Sequence, residues 1–184
     1  MTMIGHNNGP TMESGTTWRT VAWRKARTAL LPTLPVEVVR LRVKRAQALG
    51  LPYKTYAGIR ASTGHDLVGF LFSNNALGVL RPGATAPADV TGKLDALRDC
   101  QRIGLANPGI DLSGIAALDL SATAPAPLAS WSDTRTRLKE IIRTTGHPAD
   151  RFLIVGETDA ERDWLAAAQA AGYLTGGTYF GFRA

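Results

Sequence analysis

Arg42, Lys44, Arg45, Lys54 and Arg60 place five cations within nineteen residues, with Thr55 and Tyr56 beside the fourth. Guanidinium and ammonium groups at that density meet phosphate oxygens, while hydroxyl-bearing side chains can reach base edges. The charge is concentrated around them. Residues 1–70 hold ten Lys and Arg against three acids, a balance of +7, whereas the remainder carries −1. Basic excess confined to one region is the electrostatic footprint of a phosphate-binding surface. The expected partner is therefore nucleic acid, DNA ahead of RNA, met by Arg42, Lys44, Arg45, Lys54, Thr55, Tyr56 and Arg60, with a homodimer as a further association. The same basic helix could instead dock on an acidic protein.

The spacing within residues 42–59, RVKRAQALGLPYKTYAGI, agrees with that chemistry. Ala46 is followed four residues later by Gly50 and nine further on by Ile59, with Leu49 and Leu51 flanking the glycine. A small residue lets two helices cross, a glycine permits the tight turn, and apolar residues pin the second helix on the first. The stretch resembles the helix-turn-helix of Fis-type bacterial DNA-binding proteins, with Tyr56 where an aliphatic residue is usual. That resemblance implies a regulatory DNA-binding role in which Lys54, Thr55 and Tyr56 open the recognition helix.

A second group of functional side chains lies near the C-terminus. Val155-Gly-Glu-Thr-Asp-Ala-Glu-Arg-Asp163 follows an apolar run and opens a helix, the position at which open α/β sheets keep their ligand sites. With Phe152 to Val155 it resembles the fourth motif of haloacid-dehalogenase-type phosphatases, with Glu157 in place of the usual first Asp. Ser73-Asn74-Asn75 is similar to that family's second motif. The resemblance implies a magnesium-holding turn, but the family's nucleophile motif, DxDxT or DxDxS, is absent, so phosphatase chemistry is not expected. The alternative function is a small α/β enzyme or ligand-binding domain with its site at Asn75, Glu157 and Asp159.

Other chemistries lack their residues. There is one cysteine, Cys100, and the three histidines, His6, His65 and His147, are far apart. Hence neither an intramolecular disulfide nor a zinc-ligand spacing is available, and no metal or cofactor is expected. His65-Asp66 reads as a chance pair after a helix cap, and Cys100 as a small core residue one helical turn from Leu97 and Ile103. Trp18 and Trp23, among arginines, read as the apolar side of an amphipathic helix. No P-loop, GxGxxG or GxSxG occurs. No apolar run approaches the roughly 20 residues that span a bilayer, and the start lacks a signal-peptide pattern. A cytoplasmic location is expected.

The elements that must position these groups follow from periodicity. Residues 1–16 read as a flexible tail, 17–65 as a basic helical region, and 66–184 as an α/β domain with a small, mostly parallel sheet and flanking helices. Helix one is expected over about 18–30. Helix two follows Pro35 and runs to Leu49 with Val39, Val43 and Ala46 as its stripe. Residues 66–81 admit a hairpin turning at Asn74-Asn75 or a single buried strand; the strand is preferred. The preference rests on an echo: Arg60 to His65 then Phe70, and Arg143 to His147 then Phe152, each a helix ending at a glycine and followed by an apolar run. A helix is expected over 87–105, a strand over 115–120, a loop over 121–129, and a helix capped by Ser132. A buried strand over 152–155, a helix capped by Thr158 and Glu161 running to Gly172, and a last strand over 178–182 complete the expectation.

Overall fold

The computed structural model describes residues 34–181, so the expected tail and first helix lie outside the described residues. Within them the order is helix α1 (Val36–Ala48), α2 (Tyr53–Thr63), strand β1 (Gly69–Ser73), α3 (Ala88–Ala96), β2 (Gln101–Ala106), β3 (Leu120–Thr123), α4 (Trp131–Arg143), β4 (Phe152–Gly156), α5 (Asp159–Ala168), β5 (Gly172–Thr175) and α6 (Gly176–Phe180). The five strands are all parallel, in the order β3-β2-β1-β4-β5. The expected α/β class is therefore observed.

The apolar runs explain the layering. β1 and β4 are buried along their whole length, as strands covered on both faces must be. Phe70 and Phe72 of β1 and Leu153 and Val155 of β4 join Ala46, Tyr56, Val90, Leu94 and Tyr179 in one cluster, contributed by α1, α2, α3 and α6. Leu71, Phe152 and Ile154 join Leu138, Ile141, Ile142, Trp164 and Ala167 of α4 and α5 in a second. The sheet is thus the middle of three layers. Within β4, Phe152 and Ile154 therefore lie on one face and Leu153 and Val155 on the other.

The sequence echo corresponds to a physical relation. Gly64 and Gly146 both adopt left-handed backbone, with φ of 76° and 74°. The strands that follow them are neighbours, Phe70 aligned with Leu153 and Phe72 with Val155. Residues 69–73 form a central strand rather than a hairpin.

Other expectations are corrected. Residues 87–105 are not one helix: Asp99 turns to φ 54°, and Ile103 belongs to β2. That places Cys100 in the connection between α3 and β2, where burial pushes its thiol up to about 11. The strand expected at 115–120 forms instead at 120–123, sharing only Leu120 with that range and otherwise lying in the expected loop. α4 is capped by Ser130, whose hydroxyl accepts from the Asp133 amide, not by Ser132. α5 stops at Ala168, because Gln169 takes a left-handed conformation. The last strand lies at 172–175, and residues 176–180 form α6, started by the Thr175 hydroxyl accepting from the Thr178 amide.

Candidate ligand crevice at the strand ends

The chain passes from β1 through β2 to β3 on one side, then returns to lay β4 and β5 on the other side of β1. Connections leaving β1 and β4 diverge at their carboxyl ends, and such a switch point opens a crevice. The residues lining it come from four connections.

After β1 the backbone winds tightly. The Ser73 hydroxyl accepts from the Ala76 amide at 3.1 Å, and the Leu77 amide donates to the Ser73 carbonyl at 3.0 Å. Asn74, buried, spends its whole side chain: Oδ1 accepts from the Asn107 amide at 3.0 Å, and Nδ2 donates to the Val79 carbonyl at 2.9 Å. Neighbouring Asn75 reaches across the crevice, its Nδ2 donating to Glu161 Oε1 at 2.8 Å.

Glu161 is the hub. It is 3% exposed, and its Oε2 accepts from the Glu157 amide at 2.6 Å and the Thr158 amide at 3.0 Å. Thr158 returns the bond, its Oγ1 accepting from the Glu161 amide at 3.2 Å, which completes the expected capping box. One carboxylate thus accepts from two amides and a carboxamide at the amino end of α5. Gly156 allows this closeness: a Cβ there would lie 2.9 Å from the Glu161 Cβ.

The two acids expected at this site take other positions. Glu157 Oε2 accepts from the Gly177 amide at 3.2 Å, joining the end of β4 to α6. Asp159 is fully solvent-exposed, with Arg162 Nε at 3.8 Å. Among the described residues, no group of three or more His, Cys, Asp or Glu is arranged to hold a metal ion.

Over this framework lies a cavity of about 540 Å³, lined by Asn75, Asn107, Thr134, Thr158, Glu161, Asp163, Trp131, Trp164 and by Pro125, Ala126, Pro127 and Ala129. Trp131 is 53% exposed at the mouth, and nearby Leu128 is 99% exposed. Sequence reasoning singled out Asn75 for this site and Glu161 only as a cap. It missed Asn107, Trp131 and Trp164, whose convergence depends on strand order.

The basic residues expected to meet nucleic acid lie elsewhere. Arg45 Nε donates to Asp66 Oδ2 at 3.0 Å, and its Nη2 donates to the Leu67 carbonyl at 2.7 Å and the Asp99 carbonyl at 3.1 Å. These bonds tie α1 to the amino end of β1. Tyr56 is 1% exposed, and its hydroxyl donates to Asp66 Oδ1 at 2.7 Å. Burial, then the Asp66 carboxylate, raises its pKa above 10.0. Arg60 Nη1 lies 3.6 Å from the same carboxylate. His65 does not pair with Asp66; its Nε2 lies 3.8 Å from Asp150. Thr55 faces a separate cavity of about 320 Å³ with Lys93 and Tyr179. Lys44 and Lys54 are exposed, and Arg42 is half-buried.

Among the described residues no helix is long and apolar enough to cross a membrane. No family model, curated protein or solved structure matches the chain.

Proposed function

We propose that this chain is a small-molecule-binding α/β domain whose ligand enters the crevice between the carboxyl ends of β1 and β4. The observation that carries this reading is the 540 Å³ cavity at the switch point, within the range of about 300–1,000 Å³ for ligand pockets. Its composition supports the same reading, with apolar walls from Trp131, Trp164 and Pro125 above the polar Asn75, Asn107 and Thr134. The bonds among Asn74, Asn75, Asn107 and Glu161 keep the floor pre-formed, so ordering it costs a ligand little.

Titration of a fragment library into ¹⁵N-labelled protein tests the proposal. Binders are expected to shift the amides of Asn75, Asn107, Thr158 and Trp131, and to lose affinity in Trp131→Ala. A screen whose binders all map elsewhere would overturn it.

The second reading is nucleic-acid binding through α1 and α2. It is favoured by the two successive helices, by left-handed Gly50 between them (φ 61°), and by exposed Lys44 and Lys54, with Arg42 beside them. It ranks second because Arg45, Tyr56 and Arg60 converge on Asp66, and because residues 34–181 hold sixteen Lys and Arg against fourteen acids. Fluorescence anisotropy on duplex DNA decides it. Salt-dependent binding that Lys44→Ala with Lys54→Ala weakens supports this reading, and no binding at micromolar protein in low salt removes it.

A further inference from the structure

Resting on the crevice reading above, we infer that its ligand class is an organic cation: an amine or quaternary ammonium carried on a planar apolar body. Three features of the cavity lead there.

The first is the sign of the lining. Glu161 and Asp163 line the cavity, and none of the lining residues is Lys or Arg. Nor is Glu161 neutralised by a neighbour, for its partners are the neutral Asn75 carboxamide and the Glu157 and Thr158 amides. Arg162, next along the chain, turns elsewhere: its guanidinium lies 5.4 Å from the centroid of the Tyr173 ring and beside Asp159.

The second concerns the helix ends. α4 and α5 both begin at this crevice, and a helix N-terminus attracts anions with roughly half an elementary charge. Here the chain supplies those anions itself, Asp133 in the first turn of α4 and Asp159 and Glu161 in that of α5. Asp159 pairs with Arg162 and Asp133 lies outside the lining, so the charge at the cavity is that of Glu161 and Asp163, two full carboxylates against two half charges. The Asp133 and Glu161 amides are also occupied by the Ser130 and Thr158 hydroxyls. A phosphate or carboxylate ligand would therefore meet repulsion.

The third is the pair of indoles. Trp131 stands half-exposed at the mouth and Trp164 is buried in the wall. Tryptophan faces attract cations more strongly than other aromatic rings do, and they cover a planar body as well. Indole rings beside carboxylates, with no lysine in the lining, suit a cation.

The test uses three probes of matched shape on the full chain: phenethylamine, phenethyl alcohol and 3-phenylpropionate, followed by ¹⁵N shifts at Asn75, Asn107 and Thr158. Phenethylamine should bind about fivefold or more tighter than the other two, since one carboxylate at contact distance is worth on the order of 1 kcal/mol near water. Its advantage should shrink in high salt. Asp163→Asn, a change at an exposed position, should cut that advantage by roughly fivefold. Trp131→Ala should weaken phenethylamine about two- to fivefold, and Trp131→Phe should recover part of the loss. If the alcohol or the carboxylate binds equally well at these residues, the cation inference is wrong and the crevice remains a ligand site. If none of the three shifts the crevice at millimolar concentration while fragments do, the inference alone falls; if fragments also map elsewhere, both fall.

Discussion

One side chain, Glu161, holds the carboxyl ends of β1 and β4 together, with one oxygen on Asn75 and the other on two amides of the β4–α5 turn. Hydrogen bonds to a charged acceptor contribute about 1.5–3 kcal/mol, and a buried donor left unpaired costs about 1–3 kcal/mol. Glu161→Ala is therefore expected to lose roughly 3 kcal/mol or more in urea denaturation, with the Asn75 side-chain amide released in the NMR spectrum. Glu157→Ala, which removes one bond to the Gly177 amide at the surface, should cost about 1 kcal/mol. Equal losses would mean that Glu161 is an ordinary cap. The cap itself is legible in the sequence, because Thr158 and Glu161 are three residues apart and the geometry is local. The partner across the crevice is not, since Asn75 and Glu161 are 86 residues apart and only strand order brings them together.

At the scale of elements, local chemistry was readable where it was unambiguous. Gly64 and Gly146 signal left-handed caps, and the apolar runs after them can only be buried strands. The failures have equally local causes. Leu94, Leu97 and Ile103 fit helical spacing, yet nothing in Arg98-Asp99-Cys100 announces that Asp99 will turn to positive φ. Thr178 to Phe182 has strand-forming residues, but Gly176 packs where a Cβ would lie 2.7 Å from Glu157 Oε2, and Thr175 caps a helix there instead. The α1–α2 turn gives a direct test of element geometry. Both Gly50 and Gly64 have positive φ, so an alanine at either pays the left-handed strain of about 1–2 kcal/mol. At Gly50 a Cβ would also press on Lys93 at 3.1 Å, Leu97 at 3.2 Å and Tyr179 Oη at 3.3 Å, whereas nothing lies within 4 Å at Gly64. Thermal melts should show Gly50→Ala as the more destabilised variant by about 1 kcal/mol, the scale of mild overpacking; equal shifts would show that the turn yields.

Considered whole, the described residues hold two apolar layers separated by one sheet, and neither layer is complete without the strand between them. Leu153 and Ile154 are adjacent in sequence, both fully buried, and belong to opposite layers. If each layer were an independent core, emptying one would melt it early and leave the other standing. A shared parallel sheet argues otherwise: β4 bonds to β1 on one side and β5 on the other, so loss of either layer strips support from the same backbone. Leu153→Ala and Ile154→Ala are each expected to cost about 2–5 kcal/mol through lost burial and the cavity left behind. Both should keep a single transition in which near- and far-ultraviolet circular dichroism coincide. Ile154→Asp, which buries a carboxylate with no cation at hand, should abolish the cooperative transition altogether. Two separated transitions in Leu153→Ala or Ile154→Ala would show that the layers fold as separate units. A parent-like melt for Ile154→Asp would move residue 154 out of the core and β4 out of the centre of the sheet.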